Sequence, residues 1–103
     1  TSEAAKVYAT REETIGSGMI VIGYAAENVR SLDKEMLEKV GDIAAGLFPY
    51  APGYAGKLLP AVARLFWALA GVEEKEFKVI GIDELNDKIK KIKEGLHNNE
   101  ERH

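Results

Sequence analysis

The sequence predicts a small α+β domain of 103 residues, with the element order β-β-α-α-β-α and the helices packed on one face of a short sheet. Three observations support this prediction. Two long segments have apolar residues at helical spacing, a short β-branched segment separates the second helix from a third, and the N-terminal third contains two apolar runs of strand length. A mostly α fold is the alternative, and it requires residues 19–29 to be helical.

The N-terminal third admits two interpretations. Lys6–Thr10 and Met19–Ala25 can be strands joined by the segment REETIGSG. Ser17 could equally cap a helix that runs through Met19–Val29. The run Met-Ile-Val-Ile, followed by Gly23, favours the strand.

The first predicted helix covers Ser31–Phe48. Ser31 is a suitable N-cap, Asp33 favours the first turn, and Pro49 ends the helix. Its apolar residues fall on one half of the helical wheel: Leu32, Met36, Leu37, Val40, Ile43, Ala44, Leu47 and Phe48.

The second predicted helix covers Leu59–Ala70. Pro60 suits its first turn, whereas a start near Tyr54 would place Pro60 inside the helix and kink it. The wheel is apolar on nearly every side, with Arg64 and, at the edge, Trp67 on the remaining strip. Such a helix is either central in a core or covered by a partner.

A strand over Glu76–Ile82 and a third helix from Asp83 to about Glu94 complete the prediction. The helix has a narrow apolar seam with the spacing 4, 3, 4, made of Leu85, Ile89, Ile92 and Leu96. Such a stripe resembles a coiled-coil seam more than the broad face of a core helix.

Charged pairs also favour this third helix. Glu84–Lys88 and Asp87–Lys91 are acid-to-base pairs at i,i+4, each contributing about 0.2–0.5 kcal/mol. The last seven residues, 97–103, are predicted to be a frayed polar tail, so the single globular domain covers residues 1–96.

The residue types that are missing restrict the chemistry. The chain has no cysteine, its two histidines lie in the polar C-terminal tail, and no G-x-S-x-G motif is present. A thiol nucleophile is therefore excluded, and a histidine base or histidine metal site is not expected. We expect a protein without catalytic residues, cofactor or metal.

The charge balance restricts the partners. A net charge of −3 argues against a general nucleic-acid binder. No signal peptide and no membrane-spanning segment are expected, so the predicted location is the cytoplasm. The absence of glutamine, with abundant lysine and glutamate, favours a thermophilic source.

The first functional hypothesis is a non-catalytic interaction or assembly module that forms a homo-oligomer. A chain of this length has little surface with which to cover a helix that is apolar all round, and exposed large apolar side chains are costly. Self-association through helix 59–70 covers them, with interface residues Arg64, Leu65, Phe66, Trp67 and Leu69.

The alternative hypothesis is a small-molecule-binding protein or an enzyme based on carboxylates and tyrosine. Its pocket would adjoin the loop 48–54, which holds three aromatic residues and two prolines. The predicted lining comprises Tyr24, Tyr50 and Tyr54, with Glu27 or Arg30 as polar anchor.

Overall fold

The computed structural model describes residues 9–73 and 75–101, with side chains through residue 98. It contains four α-helices and a short 3-10 turn at Val29–Ser31: α1 (Arg11–Glu27), α2 (Lys34–Leu47), α3 (Gly53–Leu69) and α4 (Ile82–Glu101). Helix α2 is central and packs against the other three helices. Helices α1 and α4 also pack on each other, whereas α3 packs mainly on α2.

The predicted α+β fold is wrong, because the described residues contain helices and no strand. The architecture is the mostly α alternative. Of the first predicted strand, Lys6–Thr10, residues 6–8 lie outside the described part of the chain, and Thr10 is the N-cap of α1.

Helix α1 replaces the predicted strand Met19–Ala25. Its start is set by a capping box, in which Thr10 Oγ1 accepts from the Glu13 N–H (3.1 Å) and Glu13 Oε1 accepts from the Thr10 N–H (3.0 Å). Gly18 then allows a close approach of α2, since a Cβ at this position would lie 2.6 Å from Leu47 Cδ1. Gly18, a small residue of the segment that was predicted to join two strands, therefore serves helix packing.

Helix α2 confirms the amphipathic pattern of the first predicted helix. Its N-cap is Asp33 rather than Ser31, because the Asp33 carboxylate accepts from the Met36 N–H at 2.8 Å. Ser31 belongs to the preceding 3-10 turn. The predicted inner face is buried at Leu37, Val40, Ile43, Ala44 and Leu47.

Helix α3 begins at Gly53, six residues before the predicted start at Leu59, and Pro60 lies inside it. Proline lacks an N–H, so the helical hydrogen bond that residue 60 would donate to the Gly56 carbonyl is missing. The helix persists because one face is buried at Leu59, Ala63, Phe66, Trp67 and Ala70, and tertiary packing outweighs the lost bond.

The predicted strand Glu76–Ile82 is also wrong. Residues 75–80 form neither helix nor strand, and Ile82 is already part of α4. We call residues 71–73 and 75–81 the connecting segment. Its Phe77 ring packs edge-on against Trp67 (5.3 Å between centroids), and its Ile80 carbonyl accepts a hydrogen bond from the Tyr50 hydroxyl. These contacts are made with α3 and with the loop before it, and not with a neighbouring strand.

Helix α4 confirms the predicted seam, because Leu85, Ile89, Ile92 and Leu96 are all buried. It continues through Glu101. Near its start, the buried Thr14 hydroxyl of α1 donates to Asn86 Oδ1 at 3.4 Å, which satisfies the polar atom that the α1–α4 contact encloses.

Candidate protein-interaction site

Helix α3 carries two apolar seams with the same 4, 3, 4 spacing. The inner seam packs in the core and consists of Leu59, Ala63, Phe66 and Ala70, all buried. The outer seam is shifted by one residue and consists of Leu58, Val62, Leu65 and Leu69. Because a helix turns by about 100° per residue, the two seams lie on different sides of α3.

The outer seam is exposed in the single chain. The exposed fractions are 48% for Leu58, 57% for Leu65 and 46% for Leu69, and Val62 is half-buried. Tyr54 lies one turn before Leu58 and is 77% exposed. These five residues form a continuous apolar stripe, which we call the outer face of α3.

The seam of α4 provides a comparison for the outer face within the same chain. Leu85, Ile89, Ile92 and Leu96 repeat the spacing of the outer face, and they are buried under α1 and α2. Helix α3 packs on α2 and has no more than marginal contact with α1 or α4. The described helices therefore leave the outer face of α3 uncovered.

The electrostatics of the outer face are one-sided. Lys57 and Arg64, two turns apart, lie along one flank of the stripe, and residues 47–72 contain no acidic residue. The Arg64 guanidinium lies over the Phe77 ring, 5.2 Å from its centroid, on the side of the connecting segment. Charge therefore borders the stripe on one flank without interrupting it.

The structure divides the five predicted interface residues into two groups. Leu65 and Leu69 lie on the outer face, and Arg64 lies on its exposed flank. Phe66 and Trp67 are buried within the chain itself. Tyr54 and Leu58 were not predicted as interface residues, and they extend the face by one turn.

Trp67 belongs to a polar cluster that holds the connecting segment against α2. Its Nε1 donates to Asp42 Oδ1 at 3.1 Å, and Lys75 Nζ lies 2.8 Å from the same oxygen and 2.6 Å from Glu38 Oε2. Burial lowers the pKa of Lys75, but hydrogen bonds and charge attraction from Asp42 and Glu38 outweigh burial and raise it. Lys75 thus stays charged and tied to α2.

Tyr50 and Tyr54, two of the residues predicted to line a ligand pocket, have different surroundings. The Tyr50 hydroxyl donates to the Ile80 carbonyl, and its ring lies under the Arg11 guanidinium at 5.3 Å. Tyr50 therefore anchors the connecting segment and the start of α1, whereas Tyr54 points from α3 into solvent.

The other three predicted pocket residues lie toward the far end of α1. Tyr24 is 13 residues beyond Arg11 on the same helix, a rise of about 20 Å. Tyr24 lines a groove between α1 and α4, and Glu27 and Arg30 are exposed after it. The structure does not bring the five predicted residues together.

Two general features bear on the site. None of the described helices is both long and apolar enough to cross a membrane. Within the described residues, no group of three His, Asp or Glu side chains is arranged to hold a metal ion.

Comparison with known proteins gives one informative relationship. No family model and no solved structure matches the chain. An uncharacterized protein of Archaeoglobus fulgidus is 57% identical over 96 residues, which cover 93% of this chain and 89% of the relative. The similarity thus spans all four helices rather than one motif, and the chain belongs to the same protein family as this Archaeoglobus fulgidus protein.

Proposed function

We propose that this protein is a non-catalytic assembly module that self-associates through the outer face of α3. The observation that carries the proposal is the exposure of the outer seam in the single chain, although its spacing equals that of two seams that are buried. A second copy presents the same apolar stripe, so a symmetric pair can cover both stripes at once.

The contribution of one side chain can be worked out from its exposure. Fully burying a leucine contributes roughly 1.5–3 kcal/mol, and Leu65 has a little more than half of its surface left to bury. A symmetric dimer buries Leu65 of both copies, so the two side chains together stabilise the dimer by roughly 2–3 kcal/mol. This corresponds to a change in Kd of roughly 30- to 150-fold.

The test compares two matched substitutions by sedimentation or light scattering over a dilution series. We expect the wild type to dissociate as it is diluted, and Leu65→Glu to be monomeric where the wild type is assembled. Ile20→Glu is the control, because Ile20 is a 69% exposed aliphatic residue on α1, away from α3. This control is expected to keep the wild-type mass.

Folding is monitored separately. Trp67 is buried in the single chain, so its emission reports the fold and not the assembly. Leu65→Glu should keep the wild-type Trp67 emission and helical circular dichroism, since residue 65 is exposed. A wild-type chain that is monomeric at every concentration refutes the proposal, as does equal dissociation by both substitutions.

A further inference from the structure

An open groove of about 470 Å³ lies between α2, the connecting segment and the start of α4. Ala45, Gly46 and Trp67 contribute to its floor, and Lys75, Lys78 and Lys88 are among its lining residues. A second groove of about 230 Å³ shares Lys88 and adds Lys39 and Lys91. Five lysines from three elements therefore line one stretch of surface, in a chain whose net charge is −3.

Two of the five lysines are neutralised by α2. Lys75 pairs with Glu38 and Asp42, and Lys39 pairs with a carboxylate one turn earlier on α2 at 3.1 Å. Among the described residues, Lys78, Lys88 and Lys91 have no carboxylate within 4.0 Å.

For Lys88 and Lys91, the lack of a paired carboxylate among the described residues is unexpected from the spacing of charges on α4. Glu84 and Asp87 are placed to pair with Lys88 and Lys91 at i,i+4, yet neither pair forms within the described part of the chain. Lys88 and Lys91 instead line the grooves beside α2.

Within the described part of the chain, fewer carboxylates than lysines line the two grooves. Asp42 lines both grooves, and one of its oxygens already accepts from Trp67 and contacts Lys75. Among the described residues, Glu76 is the other acidic residue that lines the larger groove. With these ion pairs set aside, the described residues leave Lys78 and Lys88 with Glu76 in the larger groove. In the smaller groove they leave Lys88 and Lys91 with no unpaired carboxylate, so the local potential favours an anion.

We propose that this double groove, centred on Lys88, binds a small molecule that carries two or more phosphate groups. Lysine binds phosphate as a point charge, whereas arginine recognises a planar carboxylate through two parallel hydrogen bonds. The described residues that line the grooves include several lysines and no arginine, which favours a multiply charged phosphate compound over a single carboxylate. The volume is in the range of small-molecule sites, and Trp67 with its small neighbours offers an apolar floor. The site is separate from the outer face of α3 and does not depend on self-association.

The test uses pyrophosphate as the probe, at low ionic strength. Binding is followed by calorimetry and by the NMR signal of the indole N–H of Trp67, the one tryptophan in the chain. We expect saturable binding that shifts this signal. Lys88→Glu should weaken binding by about tenfold or more, because the reversal removes an attraction and adds a repulsion.

Lys90→Glu is the matched control. Lys90 is exposed two residues away on α4 and lines neither groove, so this substitution makes the same change of net charge. Unchanged binding in Lys90→Glu, with wild-type thermal stability in both variants, supports the site. No binding at millimolar pyrophosphate, or an equal loss in both variants, overturns it.

Discussion

Replacing Gly41 with alanine perturbs the contact on which the placement of α3 depends. A Cβ at residue 41 would lie 2.5 Å from Trp67 Cδ1, 2.6 Å from Trp67 Nε1 and 3.1 Å from the Ala63 carbonyl oxygen. The indole is buried and hydrogen-bonded to Asp42, and the carbonyl belongs to the backbone of α3. The added methyl group therefore forces α2 and α3 apart.

The magnitude follows from two opposing effects. Alanine is more favourable than glycine inside a helix by about 1 kcal/mol. Overpacking a filled core costs about 1–3 kcal/mol, and two ring contacts below 3.0 Å place this case at the upper end. We expect Gly41→Ala to reduce the free energy of unfolding by about 1–2 kcal/mol, a fall in Tm of roughly 4–16 °C.

Thermal unfolding followed by circular dichroism measures this change, with Trp67 emission as a local probe. The control is Gly23→Ala on α1, where a Cβ meets nothing within 4 Å. Without a clash, the control should gain about 0.5–1 kcal/mol. If Gly41→Ala matches or exceeds wild-type stability with unchanged Trp67 emission, the described α2–α3 contact is refuted.

Three further predictions concern other parts of the fold. Hydrogen bonds from the Thr10 N–H and, to a smaller extent, from the Thr10 side chain lower the pKa of Glu13 below its ordinary value of 4.5. The stability that these bonds provide is present above pH 4.5, and it is lost as the pH falls through the lower pKa of the folded state. Glu13→Gln should therefore show a weaker decline of Tm in acid than the wild type. Tyr50→Phe should cost about 0.5–1.5 kcal/mol in urea unfolding by removing the bond to Ile80. Leu85→Ala should cost about 2–5 kcal/mol in the same assay, because residue 85 is fully buried; a smaller loss would contradict its place in the core.

Amphipathic helices with strong local signals were predictable. The apolar half of α2 and the seam of α4 follow directly from the spacing of Val40, Ile43, Ile89 and their neighbours, and both are buried as predicted. The N-cap of α2 was displaced by two residues, because Ser31 and Asp33 both suit a cap and only the structure selects between them.

Helix α1 was not predictable from periodicity, because apolar residues and glycines occur on all of its sides. The available signal was the capping box of Thr10 and Glu13, which marks a helix start independently of the apolar pattern. The segment 76–82 has the β-branched composition of a strand, but strand formation requires a neighbour, and here Phe77 packs on α3 instead.

The exposed apolar surface behind the proposed interface was predicted in part. The excess of apolar surface on the second helix was correctly derived, and Leu65 and Leu69 lie on its exposed side. Because Pro60 was assigned to the first turn of the predicted helix, Tyr54 and Leu58 fell outside that helix. The first turn of the outer face was therefore not predicted. Periodicity also does not distinguish two seams one residue apart, so Phe66 and Trp67 were grouped with residues that face solvent.

The reactivity of a thiol at position 65 tests most directly whether a second copy covers the outer face of α3. The chain has no cysteine, so Leu65→Cys introduces a single thiol that a small maleimide can label. We predict that its labelling rate falls as protein concentration rises, whereas Ile20→Cys on α1 labels at a constant rate. Equal and concentration-independent labelling at both positions would contradict self-association through α3.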